Sequence, residues 1–152
     1  MKFNKKIAIL IVIFALGFIY LYSNMPLSIT EYYDGVIISE DKEIEEPVLI
    51  QLYGDGYGNL FGDNVFIGTV IVGDLTYDVR LEGDKEYRGI ISKSENGNTK
   101  TIGSVTITSS FKDFYATFEE LDEKYGTNVY VVGPASNKEE ADDILENFRP
   151  QE

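Results

Sequence analysis

The sequence predicts an α+β protein: an N-terminal transmembrane helix, then an antiparallel β-meander of about six strands, with two C-terminal helices flanking a short strand. Three observations support this prediction. An uncharged run of 16 residues, 7–22, follows a lysine-rich start. Short β-like runs punctuated by Gly, Asn and Asp occupy the middle of the chain, and apolar residues recur at helical spacing toward its end.

Charge divides the chain at the end of that apolar run. Lys2, Lys5 and Lys6 precede it, and all 26 acidic residues follow it. Because basic residues mark the cytoplasmic side of a spanning helix, we expect residues 1–22 to be a signal anchor that contacts the lipid bilayer through 7–22. The protein is then a single-pass cell-membrane protein with a cytoplasmic N-terminus and an extracytoplasmic C-terminal domain. A cleaved signal, which would make the protein secreted, and a buried core helix are the alternatives.

The composition excludes several chemistries. The chain has no His, no Cys and no Trp, so Ser-His-Asp and Cys-His catalysis, ordinary zinc or haem sites and disulfides are ruled out. A formal charge of -13 makes nucleic acid a poor partner. The absence of Cys from an exported chain is typical of Gram-positive bacteria.

The elements beyond the anchor are predicted in chain order. Residues 23–30 form a tether, and 31–150 form one extracytoplasmic domain. Apolar runs and period-two alternation predict six strands. They lie at 32–39, 48–53, 65–72, 75–82, 87–93 and 101–108.

The last third combines two spacings. Phe and Tyr residues at helical spacing predict a helix over 111–125, although the same residue types suit a strand at 113–118, so the choice between helix and strand stays open. A short strand at 128–132 and a helix over 137–148, with Ser136 as its cap, complete the domain.

A Gly-rich stretch at 54–62 suggests a metal site. It lacks the spacing of a phosphate-binding loop. Asp55, Asn59 and Asp63 carry oxygen ligands of the kind that Ca²⁺ prefers, so they are the candidate ligands of a Ca²⁺ site. Their spacing does not match an EF-hand loop, and a long Gly-rich connection that covers the core is the favoured interpretation of this stretch. No cofactor is predicted.

No residue is predicted to be catalytic. Ser109 to Lys112 fits the S-x-x-K pattern, but Ser109 and Ser110 are interpreted as helix-capping residues because the partner motifs are missing. Carboxylate pairs for hydrolysis could be drawn from any of the 26 acids, and nothing singles one pair out. The 11 Tyr residues could also line a surface that stacks on sugar rings or on a partner protein.

The segment 129–145, VYVVGPASNKEEADDIL, resembles the second half of a SPOR-type peptidoglycan-binding domain. The resemblance extends over residues 105–148 at most and lacks one strand of the family's second hairpin. It implies binding to cell-wall glycan strands. The whole layout also resembles small single-pass extracytoplasmic proteins of Gram-positive bacteria that have no assigned activity.

We therefore expect a membrane-anchored protein that is not an enzyme and that acts as a binding or regulatory module for a protein or cell-wall partner. A cell-wall glycan module or a Ca²⁺-dependent module is the first alternative, and a small carboxylate hydrolase is the second. The sequence does not identify the ligand, the oligomeric state or the biological process.

Overall fold

The computed structural model describes residues 5–23, 25–40, 42–59, 62–95 and 98–148. Within these ranges the chain forms eight antiparallel strands, which close into a barrel, and three helices. The elements in chain order are α1 (Lys5–Ser23), β1 (Leu27–Ser39), β2 (Glu45–Tyr57), β3 (Val65–Val72), β4 (Leu75–Glu82), β5 (Glu86–Glu95), β6 (Asn98–Thr108), β7 (Phe114–Phe118), α2 (Glu119–Tyr125), β8 (Val129–Gly133) and α3 (Lys138–Phe148).

The barrel has up-and-down topology, because each strand pairs with its neighbour in sequence and the last strand returns to the first. Closure is made where β1 pairs with β8, from Val36 opposite Val132 to Ser39 opposite Val129. Strands β4 and β5, whose residues all lie within the described ranges, are also neighbours in the barrel. They pair only at Glu82 opposite Arg88. Closing the sheet removes the free edges that an open meander of this size would expose.

Side chains fill the barrel interior. In β7, Phe114, Ala116 and Phe118 are fully buried, while Tyr115 and Thr117 between them are partly exposed. This period of two places every second residue inside, where each large apolar side chain contributes roughly 1.5–3 kcal/mol of burial free energy. The largest fully buried side chains include Phe66, Phe114, Phe118, Ile50, Leu52 and Ile107.

Two glycines let β2 and β3 approach closely. Gly54 lies opposite Gly68, and a Cβ atom added to either glycine would collide with backbone atoms of the other strand and with the ring of Phe66. Glycine is required at both positions because there is no room for a side chain.

Helix α3 covers part of the outer surface of the barrel. Its Ala141 packs with Val36 and Ile38 of β1 and with Val132 of β8 in a second, smaller core. Near the end of β1, the outward-facing Val36 and Ile38 are therefore buried as well as the inward-facing residues. Asn137, and not the predicted Ser136, caps the start of the helix, because its side-chain oxygen accepts a hydrogen bond of 3.0 Å from the backbone N–H of Glu140.

Helix α2 closes one end of the barrel, which we call the closed end. Leu121 of α2 is buried in the main core, and the ring of Tyr77 stacks on Phe118 with 4.8 Å between centroids. The Tyr77 hydroxyl donates a hydrogen bond to Glu120. Asp122 accepts a hydrogen bond of 3.0 Å from the backbone N–H of Val129, which ties the helix to β8.

The predicted six-strand meander with two helices is therefore wrong as a fold class. The segment predicted as a helix over 111–125 contains strand β7 before helix α2 begins at Glu119. Phe114 and Phe118 are four residues apart, and this separation places the two side chains on the same face in a helix and also in a strand. In the structure both side chains are buried inside the barrel as part of strand β7. Residues 27–30, assigned to the tether, belong to β1.

The transmembrane prediction for residues 1–22 is also wrong. Among the described residues, no helix is both long enough and apolar enough to cross a membrane. Residues 1–4 lie outside the described ranges. The uncharged run 7–22 would extend about 24 Å as a helix, which is shorter than the roughly 30 Å of the hydrocarbon core. The signal anchor and the single-pass localisation are corrected with it.

Candidate functional site

The candidate site lies at the end of the barrel opposite the closed end, where β1 begins. We call this end the mouth. It is framed by the β4–β5 connection, residues 83–85, and the β6–β7 connection, residues 109–113. The two connections are joined by a hydrogen bond of 2.9 Å from the backbone N–H of Ser109 to the carbonyl of Lys85.

Phe111 covers the top of the core at the mouth. Its ring lies 5.3 Å from that of Tyr87 in a stacked arrangement and 5.8 Å from that of Phe66. Its backbone φ of 54° is in the left-handed region, which is unfavourable for a bulky residue. Tertiary contacts therefore hold Phe111 in a conformation that the local sequence does not favour.

Thr108 fixes this turn. Its hydroxyl oxygen accepts hydrogen bonds from the backbone N–H groups of Lys112, at 3.1 Å, and Asp113, at 3.0 Å. Its carbonyl accepts a third bond, of 2.8 Å, from the N–H of Phe111. The turn is thus held on both sides of Phe111, which keeps the ring pointing into the mouth.

A cleft with a volume of about 450 Å³ opens beside Phe111. This volume lies in the range of small-molecule sites, which are mostly apolar with a few polar groups. Gly56 also lines the cleft, and a Cβ atom added to it would lie only 2.8 Å from Ile29 Cδ1, so a side chain there would displace Ile29. The side chains on its walls include Leu27, Ile29, Glu31, Tyr87, Ser109 and Phe111.

Two tyrosines at the mouth have perturbed acidity. The pKa of Tyr33 is raised by burial, and then by the negative charges of Glu31 and Asp113. The pKa of Tyr87 is raised by burial and by the charge of Asp84. Carboxylates therefore create a negative potential around the aromatic rings, and both tyrosines stay neutral at physiological pH.

The closed end contains a smaller pocket of about 220 Å³ lined by charged side chains. Lys100 forms an ion pair with Glu119, and Glu120 accepts the hydrogen bond from Tyr77. These carboxylates hold α2 against the barrel, so we assign this pocket a structural role.

The predicted Ca²⁺ ligands are partly dispersed. Asp55 lies on β2 between the inward-facing Gly54 and Gly56, so it is on the outer face. Asn59 and Asp63 are exposed in the β2–β3 connection, whose residues 60–61 lie outside the described ranges. In the described residues no three Asp or Glu side chains form a group that could hold a metal ion. Since one of the three predicted ligands is the amide Asn59, the Ca²⁺ site stays a prediction.

Ser109 and Ser110 do not cap a helix, because the chain continues from this turn into β7. The tyrosines likewise do not form one surface. Tyr33 and Tyr87 face the mouth, Tyr77 is in the closed end, and others are on the outside. The outer tyrosines include Tyr32, Tyr53, Tyr115 and Tyr130.

The sequence interpretation missed Glu31, Tyr33 and Phe111 as members of one site. A signal was present in the alternation of Ile29, Glu31 and Tyr33, which places a charge on the apolar side of a strand. It was hidden because the strand was predicted to begin at residue 32.

The fold and the cleft define a class: a closed up-and-down antiparallel β-barrel with a filled interior and an aromatic mouth. Comparisons with protein-family models, curated proteins and solved structures give no match to this chain.

Proposed function

We propose that this protein is a non-enzymatic binding module that takes a small apolar or aromatic molecule at the barrel mouth. The proposal depends on one observation, the cleft beside Phe111, which is concave and has aromatic and aliphatic walls. Leu27, one of the residues in these walls, is 69% exposed. Exposed apolar side chains around a cleft are typical of ligand sites.

The polar groups beneath the cleft favour binding over catalysis. The Tyr33 hydroxyl donates to the carbonyl of Phe111, at 2.9 Å, and the Thr108 hydroxyl oxygen accepts from two backbone N–H groups. Because each of these hydroxyl groups holds the turn in place, we assign none of them a role as a general base or a nucleophile.

The test is a fluorescence titration of the full chain with N-phenyl-1-naphthylamine, a neutral probe that becomes bright in apolar sites. We expect saturable binding. Leu27→Ala should weaken it about tenfold, since it removes apolar contact area. Ser109→Trp should abolish it by filling the cleft from an exposed position.

Two controls separate the mouth from other apolar surfaces. Ile90→Ala alters a side chain that is 69% exposed on β5, and Phe14→Ala alters one that is 75% exposed on α1. Neither substitution should change the affinity. Binding that is insensitive to both mouth variants, or that is lost in Phe14→Ala, would contradict the proposal.

A second candidate, a glycan-binding surface, is supported by one observation. Tyr32 is 61% exposed on the outer face and lies edge-on to Tyr53, with 6.5 Å between ring centroids. Exposed tyrosine faces stack on sugar rings. Retention of the full chain on purified cell-wall sacculi, reduced by Tyr32→Ala and unchanged by Leu27→Ala, would support this candidate, and equal retention of both variants would exclude it.

A further inference from the structure

We infer that the mouth prefers organic cations, such as an amine or a quaternary ammonium group attached to an apolar body, and that Glu31 is the residue that selects them. This inference rests on the proposed function and specifies the class of its ligand.

Glu31 has an unusual position for a carboxylate. It lies on β1 between Ile29 and Tyr33, which are both buried, and its Cα partner on β2 is the fully buried Leu52. Side chains two residues apart on a strand share a face, so Glu31 faces inward at the mouth. It is partly buried and lines the cleft.

No described residue pairs with this carboxylate. Within the described ranges, the Glu31 side chain accepts no hydrogen bond and joins no ion pair. The carboxylate oxygens stay in contact with solvent, and a cation that enters the cleft would pair with them electrostatically. Of the described residues that line the cleft, Glu31 alone is charged.

The aromatic walls add to the preference. The stacked rings of Tyr87 and Phe111 border the same cleft, and ring faces attract cations electrostatically. Asp84 and Asp113 add negative potential, because their charges reach Tyr87 and Tyr33. Lys85 and Lys112 in the same two connections are exposed and are not among the described residues that line the cleft.

The test compares two molecules of the same shape. Benzyltrimethylammonium is a cation, and neopentylbenzene is its neutral isostere, with carbon in place of nitrogen. Both are titrated against the full chain by displacement of N-phenyl-1-naphthylamine. We expect Glu31→Gln to weaken the cation about tenfold and to leave the affinities of the isostere and the dye within twofold.

Asp34→Asn is the matched control, since it removes the same charge from an exposed position on the outer face of the same strand. It should change the affinity for the cation less than twofold. If Glu31→Gln affects the cation no more than Asp34→Asn does while the dye still binds, the charge inference fails and the proposed function stands. If neither the dye nor either isostere binds the full chain, both fail.

Discussion

The hydroxyl of Tyr33 donates a hydrogen bond of 2.9 Å to the backbone carbonyl of Phe111, which lies 78 residues away in the chain. This bond joins β1 to the turn between β6 and β7. It therefore ties the first strand of the barrel to the residue that covers its mouth.

Removing this bond should destabilise the barrel modestly. Tyr33→Phe keeps the ring that stacks on Phe114, at 5.9 Å, and deletes only the hydroxyl. We expect the free energy of unfolding to fall by about 1 kcal/mol, measured by urea denaturation followed by circular dichroism. Tyr32→Phe, at an exposed neighbouring position, should change it by less than about 0.5 kcal/mol. Equal effects of the two substitutions would argue against a structural role for the bond.

Stability should decrease at alkaline pH because of the mouth tyrosines. The folded-state pKa values of Tyr33 and Tyr87 are raised, so the folded protein keeps both protons where the unfolded chain loses them. Their contribution is fully present below the unfolded pKa of about 10 and is lost as pH rises above it. Urea denaturation between pH 8 and pH 11 should show a smaller decrease for Tyr33→Phe than for the wild type. The same decrease in both proteins would contradict the raised pKa of Tyr33.

Truncation of the core at the closed end should be far more costly. Phe118 is fully buried and stacks on Tyr77, so Phe118→Ala removes both the burial and the ring contact. We expect a loss of about 3–5 kcal/mol in the free energy of unfolding, against less than about 0.5 kcal/mol for Ile90→Ala on the exposed outer face. Thermal denaturation of the two variants would measure the difference, and a small loss for Phe118→Ala would place residues 114–118 outside the core.

The docking of α3 can be tested at one position. Ala141 is fully buried between the helix and the outer face of β1, whereas Asp142 beside it is exposed. Ala141→Leu should cost about 1–3 kcal/mol because the added side chain overpacks the contact. Asp142→Leu introduces the same residue one position further along the chain and should have little effect on urea denaturation. A neutral Ala141→Leu variant would show that α3 is not packed at this position.

The close approach of β2 and β3 makes a prediction about glycine. Gly54→Ala should destabilise the barrel by about 1–3 kcal/mol, because the new methyl group would meet backbone atoms of Gly68 and Ile67. Gly17→Ala in α1 adds the same methyl group where nothing lies within 4 Å, so barrel unfolding should be unchanged. Similar unfolding curves for the two variants would contradict the close approach.

Local pattern was a reliable guide where one face of an element is buried along its whole length. The predicted strands at 65–72 and 75–82 are confirmed at the same bounds as β3 and β4, and the last helix is confirmed as α3. Segment 111–125 was ambiguous because its aromatic spacing fits two periods. The missed residue Glu31 shows the related problem that a strand boundary decides which residues belong to a face.

The sequence by itself excluded imidazole and thiol chemistry, since the chain has no His and no Cys. It also predicted most of the strands, through the alternation of apolar and polar residues. Only the tertiary structure decided that β1 pairs with β8 to close a barrel, that Phe111 covers its mouth and that Glu31 faces inward with no partner among the described residues. The physical reason is distance along the chain. Val36 and Val132 pair across nearly a hundred residues, and no local pattern of apolar residues specifies such a partner or the register that goes with it.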